Sequence, residues 1–224
     1  MEASIRAVFL DALGTLVELQ PPGPRLRALL AEEGFEVSEE RARAGFRAEI
    51  AYYLDHHLEG SSRPELDDLR DRCANVLMEA LALPDLEHDA ARRTMLGALE
   101  FTPFADVRPA LEDLRARALG LVIVSNWDCS LGDWLEKAGL VSLVDGVVTS
   151  AVAGAAKPDP AVFAPALTIA GVSPGEAVHV GDSLEKDVAG ARAAGIRPVL
   201  VRREPGAPVD AEVIGSLAEL ASLL

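Results

Sequence analysis

The sequence predicts an α/β fold: a doubly wound parallel sheet carrying an inserted all-helical domain. Three observations predict it. Five short runs, "RAVFLD", "GLVIVSN", "DGVVTS", "EAVHVGD" and "RPVLV", are continuously apolar rather than alternating, as expected of strands buried on both faces. Helical patterns separate most of them, and such alternation implies right-handed crossovers within one open sheet. The alternation breaks between residue 20 and about residue 100, where the pattern is helical throughout.

In chain order, the first strand ends at Asp11. "QPPGP" reads as a linker or turn. Helical patterns follow near 24–33, 38–59, 64–82 and 85–99, with Ser38 and Ser62 as N-caps and Gly34 and Gly60 as stops. This insert, residues 17–100, is expected to be a cap over the strand ends. The core is then 1–16 with 101–224, and the hinges fall at 17–22 and 100–105. A helix from Ala110 to Leu119 turns Leu111, Leu114 and Ala118 to one face, with Pro109 near its start. The second long strand closes on Ser125 and Asn126. Ser130 as N-cap and Asp133 at the third helical position open a helix that stops at Gly139. The third strand reaches Thr149 and Ser150, and Asp159-Pro160 begins a helix that Pro165 should kink or delay. The fourth strand ends at Asp182, a helix runs from Ser183 to Ala194, and "RPVLV" completes the sheet.

Composition bounds the function. A chain of 224 residues holds one substantial domain, or a core with an insert. Acids outnumber bases 36 to 21, a net charge of −15, which repels nucleic acid and anionic membranes and leaves a small molecule as the expected partner. No apolar run reaches membrane-spanning length, and "MEASIRAVFLDA" reads as the approach to a buried strand rather than a signal peptide. Cys73 and Cys129 are far apart without metal-ligand spacing, which disfavours a disulfide framework or a zinc site and makes a reducing cytoplasm the expected location.

Open α/β sheets bind ligands outside the carboxyl ends of their strands. Asp11, Ser125 and Asp182, remote in sequence, converge there. A carboxylate can attack phosphorus or carbon and hold a covalent intermediate. Phosphoryl transfer further requires donors and cations around the equatorial oxygens, which the Ser125 hydroxyl, nearby backbone N–H groups and Lys157 can supply. Singly, each residue has an ordinary reading: an Asp or Ser-Asn after a strand is usually a turn or cap, and a lysine is usually solvated. His179 reads as a packed strand residue, and His56 and His57 as solvent-facing. Arg43, Arg47, Tyr52 and Tyr53 lie in the insert, where charges on long helices usually face water.

Taken in order, Asp11 with Gly14-Thr15-Leu16, then Ser125-Asn126, Lys157-Pro158 and "GDSLEKD" from Gly181 to Asp187 resemble the motifs of the haloacid dehalogenase superfamily of aspartate-nucleophile hydrolases. The likeness covers essentially the whole chain, including a helical cap after the first motif, and points to the phosphatase-like branch on a Rossmann-like core. It implies Asp11 as nucleophile and Lys157 and Ser125 as catalytic partners. It implies phosphate binding by Thr15, Ser125, Asn126 and Lys157. It also implies Mg²⁺ held by Asp11, Asp182 and the main-chain carbonyl of Leu13, with Asp187 orienting a metal-bound water or Lys157 from behind.

Leu13 departs from the pattern. Phosphatases resembling this chain carry an aspartate there, which protonates the leaving oxygen and then activates water, help worth about 10²–10⁴-fold. Leucine keeps the carbonyl but supplies no proton. Metal-independent 2-haloacid dehalogenases also lack that acid and are the rival reading, although they lack an acid at the position of Asp182. A non-catalytic binding protein is the third. Glu18 and Asp128 are the candidate substitute acids, with Glu18 expected to face solvent and Asp128 to cap the following helix.

Overall fold

The computed structural model describes residues 4–224; residues 1–3 of the expected core segment lie outside the described residues. The chain divides into two compact units, one of residues 4–18 with 103–224 and one of residues 19–102.

The first unit is built on six parallel strands. These are β1 (Ala7–Leu10), β4 (Gly120–Ser125), β5 (Gly146–Thr149), β6 (Ala177–Gly181), β7 (Arg197–Val201) and β8 (Glu212–Ile214), in the order β5-β4-β1-β6-β7-β8. Two shorter strands, β2 (Val17–Leu19) and β3 (Phe101–Pro103), pair where the chain leaves and re-enters this unit. The order reverses at β1, with β4 on one side and β6 on the other, which opens a crevice at the strand ends. Every residue of β1 is buried. Ala7 and Phe9 join Val122, Val124, Val162, Phe163 and Ala166 in one cluster, while Val8, Leu10, Leu121 and Ile123, of opposite parity, are equally enclosed. Both faces of the sheet are therefore covered, which is why the runs are continuously apolar.

The second unit holds four helices: α1 (Pro22–Glu32), α2 (Glu39–His56), α3 (Arg63–Leu81) and α4 (His88–Ala98). Pro22 and Pro24, expected in a linker, instead lie in the first turn of α1, where a missing N–H costs no hydrogen bond. Ser38 caps α2 by accepting from the Arg41 N–H. Ser62 occupies the N-cap of α3 but turns its hydroxyl to Glu65. Among the described residues no helix is long and apolar enough to cross a membrane.

Five helices complete the α/β unit: α5 (Val107–Ala116), α6 (Leu131–Lys137), α7 (Ser150–Ala153), α8 (Ala164–Ala170) and α9 (Ala189–Ala193). Pro165 delays its helix: a 3₁₀ turn over Pro160–Phe163 comes first, capped by Asp159, and α8 starts with Pro165 in its first turn. The helix expected from Ser183 begins as a wider π turn over Leu184–Val188 before tightening into α9. Ser130 precedes α6, but its backbone is already helical (φ −92°, ψ −1°) and its buried hydroxyl has no partner; a capping side chain needs an extended backbone to reach back.

Candidate active site

Three neighbouring strands end in the side chains that matter. Asp11 follows β1, Ser125 is the last residue of β4, and Asp182 follows β6. Asp11 is fixed by its own N–H donating to the Val180 carbonyl at 2.9 Å. The loop after it folds back tightly, with the Gly14 N–H on the Val17 carbonyl and the Leu16 N–H on the Ala12 carbonyl. Gly14 has φ +81°, and a Cβ there would sit 2.1 Å from Asp182 Oδ2. Glycine at this point lets the Asp182 carboxylate approach the loop that carries Asp11.

Lys157 is the hub. Its Nζ donates to Asp11 Oδ1 and Asp187 Oδ1, both at 2.6 Å, and to the Val124 carbonyl at 2.9 Å. All three ammonium protons are thereby engaged. Burial alone would lower its pKa, but the carboxylates of Asp11 and Asp187 outweigh burial and hold it above the ordinary lysine value. The lysine backbone is clamped by Asn126, whose Oδ1 accepts from the Lys157 N–H at 2.7 Å while its Nδ2 donates to the Lys157 carbonyl at 2.9 Å. The Lys157–Pro158 peptide is cis.

Asp187 closes the network from behind. Its Oδ1 also accepts from His179 Nε2 at 2.8 Å, and its Oδ2 accepts from the Ser183 N–H at 3.0 Å. Burial opposes its ionisation, but the His179 hydrogen bond and the Lys157 charge depress its pKa below the ordinary carboxylate range. His179 is fully enclosed, edge-on to Phe163 with ring centroids 4.9 Å apart. Its burial holds the imidazole neutral, so its proton sits on Nε2, facing Asp187. Oxygens of Asp11, Asp182 and Asp187 all lie within 4.8 Å of one another. Asp182, though exposed as a residue, packs its carboxyl against the loop; partial desolvation, then the charges of Asp11 and Asp187, push it up to about 6.

The structure brings Asp11, Lys157, Asp182 and Asp187 together and gives two of the expected phosphate ligands other surroundings. Thr15 is fully buried, with no partner for its hydroxyl among the described residues. The Asn126 amide is occupied by the Lys157 backbone, so this side chain positions the lysine instead of reaching outward. Ser125 is buried at its strand end. Leu13 is 43% exposed. Asp128 Oδ1 accepts from the Ser130 N–H, and Glu18 is exposed. In the helical unit Arg43 pairs with Glu39, and Tyr52 accepts from Arg72 and stacks on His56.

Sequence reading missed Arg203. Its Nη1 donates to both Asp106 carboxylate oxygens at 2.9 and 3.0 Å, its guanidinium lies 3.7 Å over Phe104, and its Nη2 donates to the Thr15 carbonyl at 2.8 Å. Asp106 also accepts from the Ser216 hydroxyl and the Leu217 N–H. Three distant segments thus brace the loop after Asp11, although "VRREPG" offers nothing to single this arginine out.

A family model described as haloacid dehalogenase-like hydrolase matches residues 5–195. Haloacid dehalogenase-like hydrolase domain-containing protein 3 of Danio rerio is 37% identical, covering 92% of this chain and 88% of that protein. The Bos taurus protein of the same name matches over 91 residues at 47% identity, 41% of this chain and 36% of its own length. A phosphoserine phosphatase of Thermus thermophilus is 35% identical over 65% of this chain and 60% of its own. Among solved structures, a phosphatase of the same family from Thermococcus onnurineus is similar with TM-score 0.68 and 29% identity, covering 98% of this chain and 97% of that one. A 2-haloacid dehalogenase from Pseudomonas syringae is similar with TM-score 0.70 and 26% identity over the same shares.

Proposed function

Because the chain belongs to the haloacid dehalogenase-like hydrolases, we propose that it is a magnesium-dependent, phosphatase-like hydrolase of a small phosphorylated molecule, with Asp11 as nucleophile. The observation that carries this reading is the charge balance at the strand ends. Three carboxylates lie within 4.8 Å around one lysine, and Asp182 is pushed up to about 6 by burial and by its neighbours' charge. A hard divalent cation answers such an excess of carboxylate oxygen.

The residues fit that cation. Asp11, Asp182 and the Leu13 carbonyl would hold it, while both oxygens of Asp187 are already engaged by Lys157, His179 and Ser183. When bound, magnesium neutralises charge on the phosphoryl oxygens. The chain's own residues do the rest. Lys157 fixes Asp11 through Oδ1 and leaves Oδ2 to attack. Ser125 and backbone N–H groups of its loop receive the equatorial oxygens. The Asp187–His179 pair keeps Lys157 charged and in place. The likeness to a phosphoserine phosphatase supports a phosphorylated substrate.

One observation favours a second reading. Leu13 places an exposed leucine where a proton donor would serve a phosphatase, and a 2-haloacid dehalogenase is among the similar structures. Assaying p-nitrophenyl phosphate and 2-chloropropionate, each with magnesium and with chelator, separates the two. The expected result is phosphate release that the chelator abolishes. Chelator-insensitive halide release would favour the dehalogenase, and silence in both a non-catalytic binding protein.

A further inference from the structure

The charged groups that contact Asp11 are already committed to one another. Lys157 Nζ directs its three protons to Asp11, Asp187 and the Val124 carbonyl. Both oxygens of Asp187 accept hydrogen bonds, and its His179 is sealed from solvent. Asp182, on the phosphatase reading, is a cation ligand. Two residues from the nucleophile stands the side chain of Leu13, 43% exposed.

We infer that Leu13 sets the substrate class: phosphorylated compounds whose leaving group departs as a stable anion, such as acyl phosphates, phosphoanhydrides and phosphates of phenols or enols, to the exclusion of simple alkyl phosphates. The inference rests on the phosphatase reading. In the first step Asp11 Oδ2 bonds to phosphorus, the bond from phosphorus to the leaving oxygen breaks, and its electron pair leaves on that oxygen. A carboxylate, phosphate or phenolate carries the charge unaided. An alkoxide needs a proton as the bond breaks, and without a positioned acid that help, about 10²–10⁴-fold, is lost. In the second step water bonds to phosphorus, the aspartyl oxygen takes back its electron pair, and the water's proton leaves to the phosphate product or to solvent. The exposed leucine adds an apolar contact that suits an aryl or hydrocarbon-bearing leaving group and offers nothing to a hydroxylated one.

The test is a leaving-group series on the full chain with magnesium: acetyl phosphate, 2,4-dinitrophenyl, p-nitrophenyl and phenyl phosphate, and glycerol phosphate. In the wild type, kcat/KM should fall steeply as the leaving group becomes more basic, with glycerol phosphate at background. Leu13→Asp should flatten the series, gaining about 10²-fold or more on phenyl phosphate and little on the dinitrophenyl ester. Leu13→Asn, which matches aspartate in shape without the acid, should keep the steep slope. A wild-type series that is already flat, or glycerol phosphate hydrolysed as well as p-nitrophenyl phosphate, overturns the inference and leaves the phosphatase reading standing, because a donor outside this set is then at work. No phosphate from any member, acetyl phosphate included, in a folded protein sinks both.

Discussion

In the α/β unit, Asp11 and Asp187 are buried against a buried lysine, and each charge has a named partner. In the helical unit the ion pairs run along the surface, as between Arg92 and Asp67 or Arg72 and Asp68. There the buried acid, Glu49, lies among apolar helix faces with the Cys73 thiol as its hydrogen-bond partner. Taking a charge out of water costs several kcal/mol unless partners compensate it. The first unit meets that cost by assembling Asp11, Lys157, Asp187 and His179 in advance. Glu49 meets it by holding its proton up to about pH 7. Buried ionisable groups therefore read differently in the two halves of one chain: a preassembled charge network at the strand ends, a titrating core group among the helices.

The largest expected effect tests the first half of that contrast. Lys157→Met keeps the side chain's length and removes its charge, so Asp11 and Asp187 face each other with no cation between them. Breaking a buried pair from one side is strongly destabilising, and the expected loss is about 3–5 kcal/mol in urea unfolding, together with loss of turnover. Adding Asp187→Asn should recover most of the stability and none of the activity. A Lys157→Met protein as stable as the wild type would show that the carboxylates had found protons or water, and would remove the idea of a preassembled network.

How much of this was legible in the sequence depended on whether a signal was local. The strands of the sheet's centre were readable because burial on both faces forces continuous apolar runs. β8 was not, because Glu212–Ile214 is three residues long and begins with an acid. Asp11, Ser125 and Asp182 announced themselves as polar residues closing apolar runs. The role of His179 did not: it sits inside "AVHVG" like any packed strand residue, and only folding sets its Nε2 on Asp187. Arg202 and Arg203 are adjacent, yet Arg202 reaches the nearby Ala207 carbonyl while Arg203 braces the loop of Asp11, 188 positions away at Thr15. Thr15 shows the limit of motif wording, which says which residue is present and not whether its side chain is buried.

The second half of the contrast is sharpened by pH. Burial pushes Glu49 up to about 7 from an ordinary 4.5, with the Cys73 thiol opposing slightly. A carboxyl with a raised folded-state value binds its proton more tightly in the folded chain than in the unfolded one. Its contribution to stability is therefore full below about 4.5 and is lost as pH rises through about 7. Glu49→Gln keeps the shape without the titration. Unfolding midpoints of the two proteins should lie close together near pH 5, and the Gln variant should be the more stable by about 3 kcal/mol near pH 8. Equal spacing across that range would mean that Glu49 keeps its charge and has a cationic partner.

The smallest effect is expected at the helical unit's surface. Arg92 donates to both Asp67 and Asp71, with the arginine side chain 26% exposed and the acids 58% and 44%. Water and salt screen such pairs, and ordering long side chains opposes them, so each is worth less than about 1 kcal/mol. Arg92→Ala should cost less than about 1 kcal/mol in urea unfolding, and raising salt toward 1 M should erase most of the difference. The phosphate assay should not register the change. A loss as large as that of Lys157→Met would dissolve the contrast, because it would make the surface pairs of the helical unit as structural as the buried network at the strand ends.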